Sequence, residues 1–132
     1  MHSSNLIVNA VINCAGIAPA KKTLARAKGS LVDGQLNPHP LDMFSNTMMI
    51  NAVGSFNVAR LAAERMCQRD ADEDGIRGCI INTASVAAYD GQIGQVAYAA
   101  SKGAIVAMTL PMARDLSPFG IRVMTIVSRS IL

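Results

Sequence analysis

Two segments decide the fold: Gly78-Cys-Ile-Ile-Asn-Thr-Ala-Ser85 and, after a glycine-containing loop, Val96-Ala-Tyr-Ala-Ala-Ser-Lys102. The first is a short apolar run bounded by polar residues, and it predicts a buried β-strand over Gly78–Ala84. The second is rich in small residues and opens a helix that we predict over Val96–Leu116, before a proline and a glycine that close it. Strand, loop and helix in this order are typical of the crossover units of a parallel sheet.

The flanking segments extend the same pattern. Leu6–Ile12 and Ile121–Val127 are further apolar runs that predict strands, the second of them a central parallel strand covered on both faces. Pro40 sits where a first-turn proline belongs, and we expect a helix from there to about Cys67. Its buried stripe is marked by apolar residues at spacing four: Phe44, Met48, Ala52 and Phe56. We expect a long exposed loop over Pro19–Pro40. The alternation of strands and helices predicts an α/β fold.

Length, composition and charge exclude several classes of protein. With 132 residues, 51% of them hydrophobic and 16% charged, the chain is expected to form one domain with a packed core rather than a disordered segment. The net charge is +3 and no basic run exceeds the pair Lys21-Lys22, so the pattern of a nucleic-acid-binding protein is missing. No uninterrupted apolar run reaches the roughly 20 residues of a membrane-spanning helix, and we expect no membrane partner.

The cysteines indicate the compartment. Cys14, Cys67 and Cys79 are an odd number without a Cys-x-x-Cys pair, which favours neither a disulfide framework nor a zinc site. We therefore expect reduced thiols, no bound metal, and an intracellular location, mitochondrial or cytoplasmic. A signal peptide is not predicted, because no basic residue precedes the first apolar stretch.

The chemically useful residues fall where strands end. Asn13 follows the first apolar run and Ser85 the second, and ligands of parallel sheets bind at the carboxyl ends of the strands. Tyr98 and Lys102 are four residues apart in the predicted helix, so their β-carbons lie on one face about 5–6 Å apart. A carbonyl accepts a hydride only if its oxygen is protonated or strongly hydrogen-bonded, and the Lys102 ammonium would favour the ionised form of Tyr98. Ser85 could donate a hydrogen bond to the substrate oxygen.

Each of these residues has a structural alternative. A Tyr/Lys pair at this spacing is usually part of a solvated helix face, and Ser85 could simply cap the strand end. Asn51 is a weak helix former inside a strongly periodic segment, which fits either a functional amide or a satisfied core amide. A serine hydrolase is disfavoured because Ser85 lacks the Gly-x-Ser-x-Gly elbow.

Taken together, these motifs resemble a known family. Asn13-Cys-Ala-Gly16, Asn51, Ser85 and Tyr98-Ala-Ala-Ser-Lys102, in this order and at these intervals, are similar to the catalytic half of the short-chain dehydrogenase/reductases. The stretch Ile80–Lys102 looks like the branch of type 2 3-hydroxyacyl-CoA dehydrogenases, which also oxidises some hydroxysteroids and short branched acyl-CoA substrates. The resemblance implies a partial Rossmann-like sheet, the central and C-terminal half of a doubly wound fold. It also implies a secondary-alcohol dehydrogenase that uses NAD, with NADP as the alternative.

The resemblance assigns roles to four catalytic residues. Tyr98 would be the acid/base, and Lys102 would favour its ionised form and contact the nicotinamide ribose. Ser85 would donate to the oxygen of the substrate, an acyl-CoA or a hydroxysteroid. Asn51 would hold a water in the proton relay.

The resemblance also implies binding residues. The turn that lies along the cofactor would be formed by Asn13, Ala15 and Gly16, and Gln92 would contact the substrate. In the family, the helices that match residues 41–67 and 96–116 form the subunit interface, so we expect a homo-oligomer through them. A non-catalytic interaction module that pairs with a full-length copy is the alternative function.

Two parts of the family pattern have no counterpart in these residues. The family begins with a strand and a glycine-rich Thr-Gly-x-x-x-Gly-x-Gly turn that binds the pyrophosphate, and it has a Pro-Gly pair after the strand that matches Ile121–Ile126. We therefore expect residues 1–132 to be one incomplete domain, from a truncated or alternatively spliced form or an incomplete gene model. The edge of the strand at Leu6–Ile12 would be exposed, which predicts marginal stability.

Overall fold

The fold is a three-stranded parallel sheet with helices on one face. It is seen in a computed structural model that describes residues 7–26 and 36–129. The elements in chain order are β1 (Ala10–Asn13), β2 (Leu24–Arg26), β3 (Leu36–Pro38), α1 (Leu41–Met48), α2 (Gly54–Cys67), β4 (Gly78–Ser85), α3 (Val96–Leu116) and β5 (Ile121–Ser128). The sheet order is β1-β4-β5, with both strand pairs parallel. This arrangement confirms the predicted α/β class and the partial Rossmann-like sheet.

The predicted strands are recovered with two corrections. Within the described residues the first strand is shorter than Leu6–Ile12, since only Ala10–Asn13 pairs with β4, and Leu6 lies outside these residues. The prediction that the third strand is central and covered on both faces is wrong for the described part of the chain. There β4 is central, and Met124 and Ile126 of β5 are 43% and 58% exposed. No described element covers their face of the sheet.

The core lies on the other face, between the sheet and the two long helices. Small residues of α2, Ala59, Ala62 and Ala63, let that helix approach the sheet closely, and Met66 fills the remaining space. The helices pack against fully buried strand residues such as Ile80, each of which contributes about 1.5–3 kcal/mol by burial. This packing fixes the carboxyl end of β4 against the start of α3, where the predicted catalytic residues lie.

The predicted helix from Pro40 to Cys67 contains a wide turn. Between α1 and α2, the segment Met49–Val53 forms a π turn, in which the Gly54 N–H donates to the Met49 carbonyl five residues earlier. The extra residue in this turn rotates the face that α2 presents to the sheet. Phe56 was predicted to be buried with Ala52, but it is 47% exposed. Spacing four therefore predicts the buried side only as far as the π turn.

The predicted loop Pro19–Pro40 contains regular structure. β2 and β3 pair antiparallel in this segment, while residues 27–35 lie outside the described residues. Lys21 joins the segment to the loop before α3, because its N–H donates to the Gly94 carbonyl, and its own carbonyl binds the ring of His39 within the segment. The prediction of a long exposed loop is corrected by this strand pair, which the sequence does not indicate because hydrogen bonds between main-chain groups leave little pattern in such short strands.

The segment Val96–Phe119 is, among the described residues, the one helix long and apolar enough to cross a membrane by length and composition. It is the helix that packs on β4 and β5, with Ile105 and Met112 buried. A core helix of this kind meets the same criterion, so the hydropathy alone does not indicate a membrane span.

Gly120 gives a stability prediction for the turn between α3 and β5. Its φ is +68°, and a β-carbon there would collide with the Gly75 carbonyl. We expect Gly120→Ala to lower the free energy of unfolding by about 1–3 kcal/mol, as measured by urea unfolding. Gly103→Ala is the matched control, because it lies inside α3 with open space around it, and it should stabilise by about 0.5–1 kcal/mol. Equal effects of the two changes would contradict the prediction.

Candidate active site

Lys102 is the centre of the candidate site. It lies on the second turn of α3 and is only 5% exposed. Its Nζ donates to the carbonyl of Thr83 over 2.7 Å, which ties the helix to the end of β4. The same Nζ lies 5.8 Å from the centroid of the Tyr98 ring, at the outer limit of a cation–π contact. The predicted Tyr/Lys pair is therefore not a solvated helix face.

The surroundings of Lys102 disfavour its charged form. Burial lowers the pKa of Lys102 below its ordinary value of 10.5, while the charge interaction with Cys14 acts in the opposite direction. A buried ammonium with one carbonyl partner keeps two N–H donors for other acceptors. The site thus holds a cation whose hydrogen-bonding capacity is only partly used.

The lowered pKa of Lys102 predicts how stability depends on pH. Between that pKa and 10.5, the unfolded chain binds more protons than the folded chain, so stability rises with pH in this interval. We expect the unfolding free energy of Cys14→Ser to rise, relative to that of Cys14→Ser/Lys102→Met, as the pH increases from neutral toward 10.5. Urea unfolding of both chains measures this, and the shared Cys14→Ser removes the thiol whose charge interacts with Lys102. A difference that falls with pH would contradict the prediction.

Asn51 connects three parts of the molecule. Its Oδ1 accepts from the Ile17 N–H over 2.8 Å, and its Nδ2 donates to the Ile17 carbonyl over 2.8 Å and to the Ser101 Oγ over 2.9 Å. The side chain is fully buried in the π turn. Of the two interpretations left open by the sequence, the side chain makes the contacts of a satisfied core amide. A role in proton relay would fall to its main-chain carbonyl, which accepts from the Ser55 Oγ over 2.7 Å.

Two further residues belong to the candidate site, and the sequence motifs do not predict their roles. Ser101, fully buried, receives the Asn51 amide and donates to the Tyr98 carbonyl over 2.8 Å, which joins Asn51 to the first turn of α3. A small polar residue between the predicted Tyr98 and Lys102 was the available signal for it. Thr83 binds Lys102 through its main-chain carbonyl, which any residue type could supply, so its identity carried no signal.

The predicted cofactor residues Asn13, Ala15 and Gly16 have different surroundings in the structure. Asn13 directs its Nδ2 to the Ser55 carbonyl and to the Asn82 Oδ1, so its side chain ties β1 to α2 and β4. Ala15 and Gly16 are exposed. A β-carbon at Gly16 would lie 3.1 Å from the Asn51 Oδ1 and 3.7 Å from the Lys102 Nζ. The structure thus brings Gly16, Asn51 and Lys102 together.

Ser85 ends β4, as predicted, and it is 2% exposed. Its Oγ accepts from the Ala87 N–H over 3.2 Å, so it caps the short turn that follows, and its own O–H stays available as a donor. The loop from this turn to α3 passes through Gly91, where a β-carbon would lie 3.1 Å from the Ala99 side chain and 3.2 Å from the Ala87 carbonyl. The missing side chain lets the Ser85 turn and the start of α3 lie side by side.

Gln92 lies apart from these residues. It lines an open groove of about 500 Å³ between β2 and the loop before α3, together with Leu24 and Ile93. Its N–H bonds to the Gln95 side chain over 2.9 Å. Ser85 and Tyr98 do not line this groove, although Ala99 of α3 does, and the substrate contact of Gln92 stays a prediction.

Comparison with known proteins shows which protein family the chain belongs to. The sequence profile of the short chain dehydrogenases matches residues 7–131. The chain therefore belongs to the short-chain dehydrogenase family, as the resemblance of its motifs predicted.

Individual members of the family show which dehydrogenases the chain is similar to. The chain is 56% identical, over 119 residues, to human 3-hydroxyacyl-CoA dehydrogenase type-2, which covers 90% of this chain and 43% of the relative. Among solved structures, 3-hydroxyacyl-CoA dehydrogenase type-2 from Mycobacterium avium superimposes with a TM-score of 0.79 at 38% identity, over 90% of this chain and 44% of the other. An NAD⁺-bound xylitol dehydrogenase gives a TM-score of 0.68 at 33% identity, over 90% and 39%. The chain thus spans less than half the length of these relatives.

Proposed function

We propose that this chain carries the catalytic residues of a nicotinamide-dependent dehydrogenase that oxidises the secondary alcohol of a 3-hydroxyacyl-CoA. The observation that supports it most strongly is the buried Lys102 ammonium, bonded to the Thr83 carbonyl and 5.8 Å from the Tyr98 ring. Burying a cation is costly unless hydrogen bonds and opposite charges compensate it, so a buried lysine with few partners is typical of a functional site. Here the partners are incomplete, and a tyrosine lies beside it.

The residues present fit a nicotinamide cofactor. Lys102 keeps donors for ribose hydroxyls, and the exposed turn at Ala15 and Gly16 has no side chain larger than a methyl group. The space beside Gly16 is narrow, because a β-carbon there would crowd Asn51 and Lys102. NAD is the cofactor that we propose, with NADP as the alternative. When bound, it would supply hydride acceptance.

The chain's own residues would handle the proton and the substrate oxygen. Tyr98 would take the hydroxyl proton as general base during oxidation, a role worth about 10²–10⁴ in rate. Lys102 would stabilise the negative charge of the tyrosine oxygen. Ser85 would donate its free O–H to the substrate oxygen and hold the reacting carbon in place. The Asn51 carbonyl would hold the water through which the proton leaves, and Gln92 would contact a more distant part of the substrate.

We also propose a substrate, a mode of assembly and a cellular location for this chain. A 3-hydroxyacyl-CoA is inferred from the similarity to 3-hydroxyacyl-CoA dehydrogenases type-2. A hydroxysteroid is the alternative that the resemblance of the motifs implies. We place residues 1–132 in one domain, which is incomplete relative to them. Assembly into a homo-oligomer through helices 41–67 and 96–116 would cover large apolar side chains that these helices expose: Ile50, Val53, Phe56, Leu61 and Leu110. An intracellular location, mitochondrial or cytoplasmic, agrees with three unpaired cysteines.

The proposal is tested with the purified 132-residue chain. NADH binding is measured by fluorescence, and reduction of acetoacetyl-CoA is followed by NADH absorbance. The family's glycine-rich turn for the pyrophosphate has no counterpart in residues 1–132, so we expect NADH binding that is weaker than in a relative of full length, and turnover that depends on acetoacetyl-CoA. Lys102→Met is the matched variant, and it should weaken both. Binding of NADH that Lys102→Met leaves unchanged, or no binding by the wild-type chain, would overturn the proposal for this chain.

A further inference from the structure

Asn82 is a polar residue in an apolar environment. It lies in the middle of β4, fully buried, on the face that packs against the helices. Its neighbours on that face of the same strand are Ile80 and Ala84, which are also buried. Across the sheet, Asn82 is in register with Asn13 of β1 and Thr125 of β5. A row of polar side chains therefore crosses the sheet beneath the helices.

The orientation of the Asn82 amide follows from its neighbours. The Ser55 carbonyl can only accept, so Asn13 must direct its Nδ2 toward it, over 3.2 Å. The same nitrogen donates to Asn82 over 2.8 Å, so Asn82 must present its Oδ1. The Asn82 Nδ2 then has no partner among the described residues. The amide is thus held by one bond, and that bond orients Asn13.

This bond is linked to the candidate site through α2. Asn13 holds the carbonyl of Ser55, in the first turn of α2, and the Ser55 Oγ donates to the main-chain carbonyl of Asn51. Asn51 in turn binds Ile17 on one side and Ser101 on the other. Two groups of contacts therefore hold the π turn. The Asn82–Asn13 pair holds it on the side of the sheet, and the turn at Ile17 holds it through the Asn51 side chain.

We propose that Asn82 is a positioning residue of the site, which acts through Asn13 and Ser55 to hold Asn51 between Ile17 and Ser101. This role rests on the proposed function, because it is defined by the Asn51 carbonyl that the relay would use. Asn82 itself touches neither Lys102 nor Tyr98 in the contacts described. Its effect on the site is carried by hydrogen bonds over three residues.

The test uses the whole chain, isotope-labelled at asparagine, with side-chain amide signals recorded by NMR without ligand. In the wild-type chain, the amide protons of Asn13 and Asn51 should exchange with solvent more slowly than those of the exposed Asn46 and Asn57. In Asn82→Leu, the signals of both buried amides should move, and their exchange should be about tenfold faster. Burial raises the pKa of a carboxyl group at this position. At a pH where that group is neutral, Asn82→Asp keeps the acceptor oxygen and should restore the Asn13 and Asn51 signals.

The control is Ile80→Val, on the same strand and face and equally buried, which removes packing without touching a hydrogen bond. The proposal is overturned if Asn51 is unmoved in Asn82→Leu, if Ile80→Val moves it equally, or if Asn82→Asp does not restore it. Should Asn82→Leu fail to fold, the wild-type exchange rates and Asn82→Asp decide in the same way. NADH binding to the wild-type chain is measured separately, so failure of the proposed function is distinguishable from failure of this link.

Discussion

Tyr98→Phe is expected to lower the rate of acetoacetyl-CoA reduction by about 10²–10⁴-fold, because the phenylalanine has no proton to transfer. NADH binding should change little, since Lys102 keeps its bond to the Thr83 carbonyl. The measurement is kcat from initial rates, with NADH binding by fluorescence on the same preparations. A loss of turnover with intact binding is the pattern of a group that acts on the reacting proton.

The chain offers a matched control for this substitution. Tyr89 is its other tyrosine, 71% exposed in the turn after Ser85, and Tyr89→Phe removes the same hydroxyl from the same region. We expect Tyr89→Phe to retain turnover within about twofold, because surface substitutions of this kind change little. If both variants lost activity equally, Tyr98 could not be the acid/base.

Asn51→Leu should lower the free energy of unfolding by about 2–4 kcal/mol, since it removes one buried and two part-buried hydrogen bonds of a fully buried side chain. The two main-chain groups of Ile17 and the Ser101 Oγ all lose their bond to this side chain. Urea unfolding followed by circular dichroism gives the change. The turn at Gly16 should also become more mobile, because the Asn51 side chain binds both main-chain groups of Ile17, the next residue.

Asn46→Ala is the comparison for Asn51→Leu. Asn46 is an exposed asparagine on α1, only five residues away, and its replacement should change stability by less than about 0.5 kcal/mol. A loss at Asn51 no larger than that at Asn46 would show that the Ile17 and Ser101 bonds contribute little to the fold.

The strands and helices that position the site were predictable because they have strong patterns. The apolar run before Ser85 and the small-residue helix from Val96 both form where the sequence indicates. The pairing of Tyr98 with Lys102 follows from their spacing on one helix. These predictions depend on local periodicity, and local periodicity is what a single sequence carries best.

The parts that were not predictable depend on main-chain contacts and on helix geometry. Lys102 binds the carbonyl of Thr83, and Asn51 binds both main-chain groups of Ile17, so neither partner is marked by its residue type. Phe56 was assigned to the buried side because nothing in the sequence announces the π turn before it. The short strands β2 and β3 are predicted as a loop, because three residues are too few to show an alternation of apolar and polar side chains.

The π turn at Met49–Val53 makes the length of this helix as important as its composition. Deleting one residue there would allow an ordinary α-helix to form through the segment, at 3.6 residues per turn. Because the π turn already holds one extra residue, every residue after the deletion would keep the direction that it has now. A deletion inside α2 before Ala59 removes no such extra residue, so the alanines that face the sheet would rotate by about 100° toward solvent. Deletion scanning should therefore find a single missing residue better tolerated at an exposed position of the π turn, such as Ile50, than inside α2.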